Sequence, residues 1–216
     1  FRSSWMDNMD GQRTVSSRVQ SPQMPRRDEP SRCPWCGTDP QYVAYHDEER
    51  GVPVLDDVLL FEKLILDTFQ SGLSWLVVLR KRDAMVKRLQ LREPDKLARW
   101  TANRIERVLQ DATIIRNRTK VEATVNNAKL FVHLQEQGHS FSDLLWGHVN
   151  NKTMVNRWKR DDQIPARSPE GDAMSKELKS LGFKWIGPTV CYAFMQAVGM
   201  VNDHLVSCPR YRTCCR

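Results

Sequence analysis

Almost every stretch of this chain with a regular apolar spacing repeats at three and four residues, and none alternates with period two for long enough to make a convincing strand. That property confines the chain to an all-α architecture. Asp57–Gln70 opens on acidic residues suited to a helix N-terminus and stops at Ser71-Gly72, where glycine permits a left-handed cap. Ser74 is an N-cap candidate for a helix through Trp75 to about Leu91, before Pro94. Thr101–Gln110 carries Ile105, Val108 and Leu109 at helical spacing, and Lys120–Leu134 carries Val121, Val125, Ala128 and Val132. Phe141–Val149 and Ala173–Leu181 follow, the latter stopped by Gly182; Pro188 suits the first turn of a helix reaching about Val201.

The longest apolar-rich runs, Leu59–Phe69 and Val190–Val201, are interrupted by polar residues and are too short to cross a bilayer, so no membrane partner is expected. Residues 1–32 are rich in Ser, Pro, Gln and Arg and read as a flexible basic extension. Residues 209–216 read as a basic Cys/Arg tail, leaving 33–208 as one domain, expected to act as a monomer. The formal net charge of +7 invites a nucleic-acid partner, but five of those excess charges lie in the two tails. Within the nearly neutral middle, Arg80–Arg92 and Arg99–Lys120 are basic runs. A basic binding face and an ordinary solvated helix surface both explain them.

Six cysteines (Cys33, Cys36, Cys191, Cys208, Cys214 and Cys215) suggest three disulfides at first sight. Two of them are adjacent, no signal peptide is visible, and a helical core is not a small stapled secreted fold. The expectation is a reducing, intracellular compartment, nuclear or organellar in a eukaryote and cytoplasmic in a bacterium, with metal considered before disulfide.

Four constellations can carry chemistry. Asp67 shares a helical stripe with Leu60 and Leu64 and is flanked by Leu66 and Phe69. An acid on an apolar face is costly unless paired or used, and the alternative is an acid turned to the helix border. Trp35, Tyr42, Tyr45 and Trp75 bracket that helix in sequence; they suit the stacking of a flat heterocycle, or they are plain core. His204 and Cys208 stand at i, i+4, and Cys33 with His46 can complete a Cys₂His₂ zinc tetrahedron joining the two ends of the domain. Cys36, in Cys33-Pro34-Trp35-Cys36, is a rival ligand, and a redox pair is a rival reading of that tetrapeptide, weakened by the lack of a βαβ pattern. His133, His139 and His148 read as surface residues. Finally, Leu181–Thr189 is a glycine-bearing turn between two helices, either a simple corner or a set of backbone N–H groups able to hold a phosphate.

The strings CPWCGTDPQYVAYHDEE from Cys33, QSGLSW from Gln70, IIRNR from Ile114, GFKWIG from Gly182 and VNDH from Val201 together resemble the DNA-3-methyladenine glycosylase I family of the helix-hairpin-helix superfamily. The resemblance covers about residues 32–208. It implies an all-α repair enzyme that flips an alkylated adenine out of double-stranded DNA and hydrolyses its N-glycosidic bond. By motif, Cys33, His46, His204 and Cys208 match structural zinc positions. Trp35, Tyr42, Tyr45 and Trp75 match the base pocket, and Asp67 matches the pocket carboxylate, with Asp67 and Tyr45 in the catalytic role. Gly72-Leu73 matches the wedge that fills the gap left by the flipped base, and Gly182, Gly187 and Thr189 match the phosphate-gripping hairpin. Asn202 falls where many relatives carry an aspartate after the hairpin, and Asp203 is not assigned as catalyst.

Two departures stand out. Asp67 replaces the usual glutamate, one methylene shorter, so the base sits deeper or a water bridges the gap. Arg50 replaces a tryptophan, and its guanidinium opposes a cationic base unless it points outward or pairs with Asp47 or Glu49. These changes admit a second reading, a damage-binding module that kept the fold and lost excision.

Overall fold

The computed structural model describes residues 32–214, so the predicted extension 1–32 lies almost wholly outside the described residues. Ten α-helices in this span run α1 Pro40–Ala44, α2 Asp57–Gln70, α3 Trp75–Arg88, α4 Pro94–Ala98, α5 Ala102–Leu109, α6 Arg118–Glu136, α7 Phe141–Trp146, α8 Pro169–Ser180, α9 Pro188–Ala197 and α10 Pro209–Thr213. A single two-residue parallel ladder, β1 Met154–Val155 with β2 Val201–Asn202, is the exception to the helical class. Two residues cannot display a period in sequence, and the ladder exists only because the chain returns beside itself. None of the described helices is long and apolar enough to cross a membrane.

Helix α2 is the axis of the core. Leu60, Phe61, Leu64, Ile65 and Phe69 are fully buried, each worth roughly 1.5–3 kcal/mol of burial. Leu66, Asp67 and Thr68 are buried too, so the helix is covered nearly all round rather than along one stripe. Asp67 therefore has no border to turn to.

Several boundaries differ from the sequence expectation for local reasons. Helix α3 stops at Arg88 because Gln90 takes a left-handed conformation. Helix α8 begins at Pro169, since Ser168 accepts from the Gly171 N–H and Pro169 fills the first turn. Helix α9 ends at Ala197, and its continuation is blocked at Gly199 (φ +77°), where a Cβ would lie 2.5 Å from the backbone of Val52 and Pro53. That close approach lets Gly51 and Val54 donate to the carbonyls of Gln196 and Val198, which seats the 50–54 loop against the end of α9. The residues set apart as a C-terminal tail continue as α10, and Cys214 is buried against the same loop.

The basic run Arg80–Arg92, on α3 and just past it, is tied down within the fold. Arg80 pairs with Asp39, Arg82 with Glu49, Arg88 with Asp111 and Arg92 with Glu62, while Lys81 donates to the carbonyls of Ala112 and Thr113. Most of its charge is answered locally, which favours the solvated-surface explanation over a free binding face. His133 and His139 are exposed, and His148 is half-buried beside Glu177.

Candidate active site and metal centre

Helix α1 starts at Pro40, with the Asp39 carboxylate accepting from the N–H groups of Gln41 and Tyr42. Past Ala44 it widens into a π-helical turn, Tyr45–Glu49, closed by the Arg50 N–H on the Tyr45 carbonyl. This turn sets two neighbouring side chains to different tasks. Tyr45 enters an aromatic cavity, and His46 enters a cluster of sulfur and nitrogen donors.

The cavity has a volume of about 180 Å³ and is lined by Trp35, Tyr42, Tyr45, Arg50, Asp67, Gln70, Trp75, Ala193 and Gln196. An apolar cavity of about 150 Å³ takes up benzene, so this one suits a single flat heterocycle. Trp35 stands 5.2 Å from Tyr42, and Tyr45 stands 5.3 Å from Trp75, centroid to centroid. Three buried polar atoms of the lining have no hydrogen-bond partner: Asp67 Oδ2 and the indole nitrogens of Trp35 and Trp75. Buried polar groups are normally paired, so three unpartnered ones on residues lining a ring-sized space mark a candidate recognition site. Burial pushes the Asp67 carboxyl up to about 7, against the pull of Lys63 and Arg50, and burial also raises the Tyr42 and Tyr45 phenols.

A second hollow of about 220 Å³ adjoins the first, sharing Asp67, Gln70 and Ala193, and is bordered by Ser71, Gly72, Leu73, Thr189 and Val190. Four predicted residues from separate segments therefore meet there: Asp67, Gly72, Leu73 and Thr189. Gly72 takes φ +80°, a conformation open to glycine, and presents Leu73 to solvent with 42% of its surface exposed. Gly187 caps α9 with an ordinary φ of −80°, so the backbone conformation does not demand glycine there. Gly182 closes α8 at φ +94°. The hairpin backbone is held from behind, where Asn127 bonds both the N–H and the carbonyl of Lys184, and Ser175 donates to the Ile186 carbonyl.

Lys120 was not singled out by the sequence and yet sits at the junction. Its buried Nζ donates to the carbonyls of Phe69 and Ser71 at 2.9 and 2.7 Å and lies 5.2 Å from the Trp185 ring. It thereby fixes the loop that carries Leu73 to both α6 and the hairpin. Replacing Lys120 with Met is expected to leave two carbonyls without a donor and to cost about 2 kcal/mol, or about 5 °C in Tm. Thermal denaturation checks this, and an unchanged Tm would remove the residue from that role.

The second centre gathers Cys33, His46, His204 and Cys208, all buried, with one donor atom from each lying within 4.8 Å of the others. Cys33 Sγ is 3.6 Å from His204 Nδ1; Cys208 Sγ is 3.5 Å from His46 Nε2 and 3.9 Å from His204 Nδ1. Tetrahedral zinc with Zn–N near 2.0–2.1 Å and Zn–S near 2.3 Å places its donors roughly 3.3–3.8 Å apart, which the three contacts of 3.5, 3.6 and 3.9 Å match closely. The outer nitrogens have partners as well: His46 Nδ1 meets Asp47 Oδ1 at 2.8 Å, and His204 Nε2 meets the Arg50 carbonyl at 3.1 Å. Cys36 points away from this set, with its thiol on the Cys33 carbonyl, and the cysteines among the described residues form no disulfide.

Asp203 and Asn202 are occupied by the fold. Asp203 accepts from Asn156, Trp158, Tyr192 and Gln196, and Asn202 donates to the Tyr211 carbonyl and accepts from the His204 N–H.

Comparison with known proteins agrees with this geometry. The Methyladenine glycosylase family matches residues 35–211. DNA-3-methyladenine glycosylase 1 of Escherichia coli (strain K12) is 43% identical over 83% of this chain and 96% of its own length. The Haemophilus influenzae DNA-3-methyladenine glycosylase is 44% identical over 83% and 97%. A crystal structure of 3-methyladenine DNA glycosylase I superposes with a TM-score of 0.82 at 41% identity, covering 83% of this chain and 98% of the other. A variant of such an enzyme in complex with 3-methyladenine gives 0.79 at 34% identity, over 82% and 95%. With an aromatic cavity beside the exposed Leu73 and the α8–α9 turn, and these relatives aligned over nearly their full length, the chain belongs to the methyladenine glycosylase family.

Proposed function

We propose that this chain is a DNA glycosylase of base-excision repair that releases 3-methyladenine from alkylated double-stranded DNA by hydrolysing its N-glycosidic bond. The observation that carries the reading is the ring-sized aromatic cavity with a buried Asp67 carboxyl, its Oδ2 without a partner, beside Leu73 and the α8–α9 hairpin. A flipped base stacks among Trp35, Tyr42, Tyr45 and Trp75 and meets Asp67 at its edge. A 3-methylated adenine is already cationic, so its glycosidic bond is weak and needs no strong general acid. Water then adds at C1′ and gives up a proton to solvent, while the electron pair of the broken bond leaves with the now neutral base. Leu73 fills the vacated stack, and the amides beside Gly187 and Thr189 grip the backbone without reading sequence.

The four donors Cys33, His46, His204 and Cys208 would hold one zinc ion, which supplies structural cross-linking of the two ends of the domain. Four protein ligands leave no open position for water. The chain acts as a monomer in an intracellular compartment, a placement supported by the five cysteines among the described residues, which form no disulfide.

Two assays run side by side test the reading: release of free base from methylated DNA, and binding to an abasic duplex. Release supports the enzyme, whereas tight abasic binding with no release leaves the damage-binding module. Gly187 gives a cleaner probe of the hairpin, because a Cβ there meets nothing within 4 Å. Gly187→Ala is expected to leave Tm unchanged and to weaken duplex binding about tenfold, since the added methyl group stands where a phosphate approaches the amides. Unaltered binding would show that the hairpin does not hold DNA at that residue.

A further inference from the structure

Arg50 brings a fixed positive charge into the base cavity, and the structure shows why it stays there. Its backbone carbonyl meets His204 Nε2, and its N–H closes the π-helical turn on Tyr45. Its guanidinium lies 4.6 Å over the Trp35 ring and donates to Gln196 Oε1 at 2.9 Å. Gln196 cannot swing away, because its amide nitrogen donates to Asp203 at 2.6 Å. The two acids that sequence places nearest to Arg50 are engaged elsewhere: Asp47 pairs with Arg32 and His46, and Glu49 pairs with Arg82 and Lys63. So the guanidinium neither points outward nor forms an ion pair with Asp47 or Glu49.

Two consequences follow for a ligand. The Trp35 face that would attract a cation already holds one, so that part of the aromatic cage is spent. A second positive charge in the same enclosed space is repelled, whereas a carbonyl or ring-nitrogen acceptor meets the guanidinium's remaining donors.

We propose that Arg50 sets the charge selectivity of this cavity, extending its substrates to uncharged damaged bases that offer an acceptor edge and weakening its preference for cationic ones. The inference rests on the glycosylase reading and names the substrate class of that same site. An uncharged base needs a proton to leave. The C1′–N bond breaks with its electron pair going to the base, the Asp67 carboxyl gives its proton to the departing base, and water adds to C1′ and returns a proton to Asp67. Burial keeps Asp67 in a range where that proton is available near neutral pH.

The test compares the full chain with Arg50→Met and Arg50→Lys on two duplexes, one methylated to carry 3-methyladenine and one carrying a single hypoxanthine. The expected result is that Arg50→Met shifts the ratio of kcat/KM values by at least tenfold toward 3-methyladenine, while Arg50→Lys, which keeps the charge, shifts it less. A smaller shift in Arg50→Met, or an equal shift in Arg50→Lys, overturns the proposal. Quenching of the Trp35 and Trp75 fluorescence by 3,9-dimethyladeninium, a fixed cation, and by uncharged 9-methylhypoxanthine gives the same comparison without turnover. If neither duplex loses a base, the glycosylase reading fails, and the binding ratio alone decides the role of Arg50 by the same tenfold criterion.

Discussion

Asp67→Asn is expected to slow base release on the order of 100-fold or more and, at the same time, to make the protein more stable at pH 8. The two effects have one cause. Burial lifts the Asp67 carboxyl to about 7, with Lys63 and Arg50 opposing it, and Tyr45 and Cys191 are the other titratable groups within its field. Because the folded value lies above the unfolded one, the folded chain holds the extra proton between about pH 4 and pH 7. The stability contribution is therefore complete below about pH 4 and is lost as pH rises through 7. At pH 8 an ionised carboxylate sits in the core at a cost on the order of 4 kcal/mol, which asparagine does not carry. A Tm gain of about 5 °C or more at pH 8, shrinking toward pH 4, is the signature of a group kept for chemistry at the expense of stability. Thermal melts at several pH values and a base-release assay check both halves. Unchanged release, or a lower Tm at pH 8, would refute the role.

The other large effect lies at the Cys33, His46, His204 and Cys208 cluster. Freshly purified protein is expected to carry about one zinc per chain, and Cys208→Ala to lose it together with at least ~10 °C in Tm. The size follows from topology: the four ligands join residues near the two ends of the domain, so losing the ion frees both the α1 turn and the segment after β2. Elemental analysis and a melt with and without chelator measure it. Metal-free protein with the same Tm as the loaded form would remove zinc from the account. Because the Arg50 carbonyl is the outer partner of His204, the base cavity is expected to loosen along with the clamp.

Long periodic segments such as α2, α6 and α9 were legible because burial of one or more helix faces imposes a spacing that composition alone would not produce. Pro-led helices α1 and α4, of five residues each, were not, since one turn is too short to show a period. The Asp39-Pro40 and Ser168-Pro169 pairs are the local cap signals that mark the starts of α1 and α8. Lys120 was invisible for another reason. A lysine in a basic run looks like surface until two backbone carbonyls fifty residues away are brought to its ammonium.

The helical class, the residue types needed for a flat-base pocket and a four-ligand centre, and the family that the motifs resemble were readable from the amino-acid order, because each depends on local spacing or on strings of residues. Only in the folded chain is Asp67 seen to be buried rather than at a helix border, Arg50 to line the cavity, and the α3 charges to be answered within the fold. Those outcomes depend on which partners distant segments deliver, and a side chain's environment, unlike its spacing, is set by the packing of the whole chain.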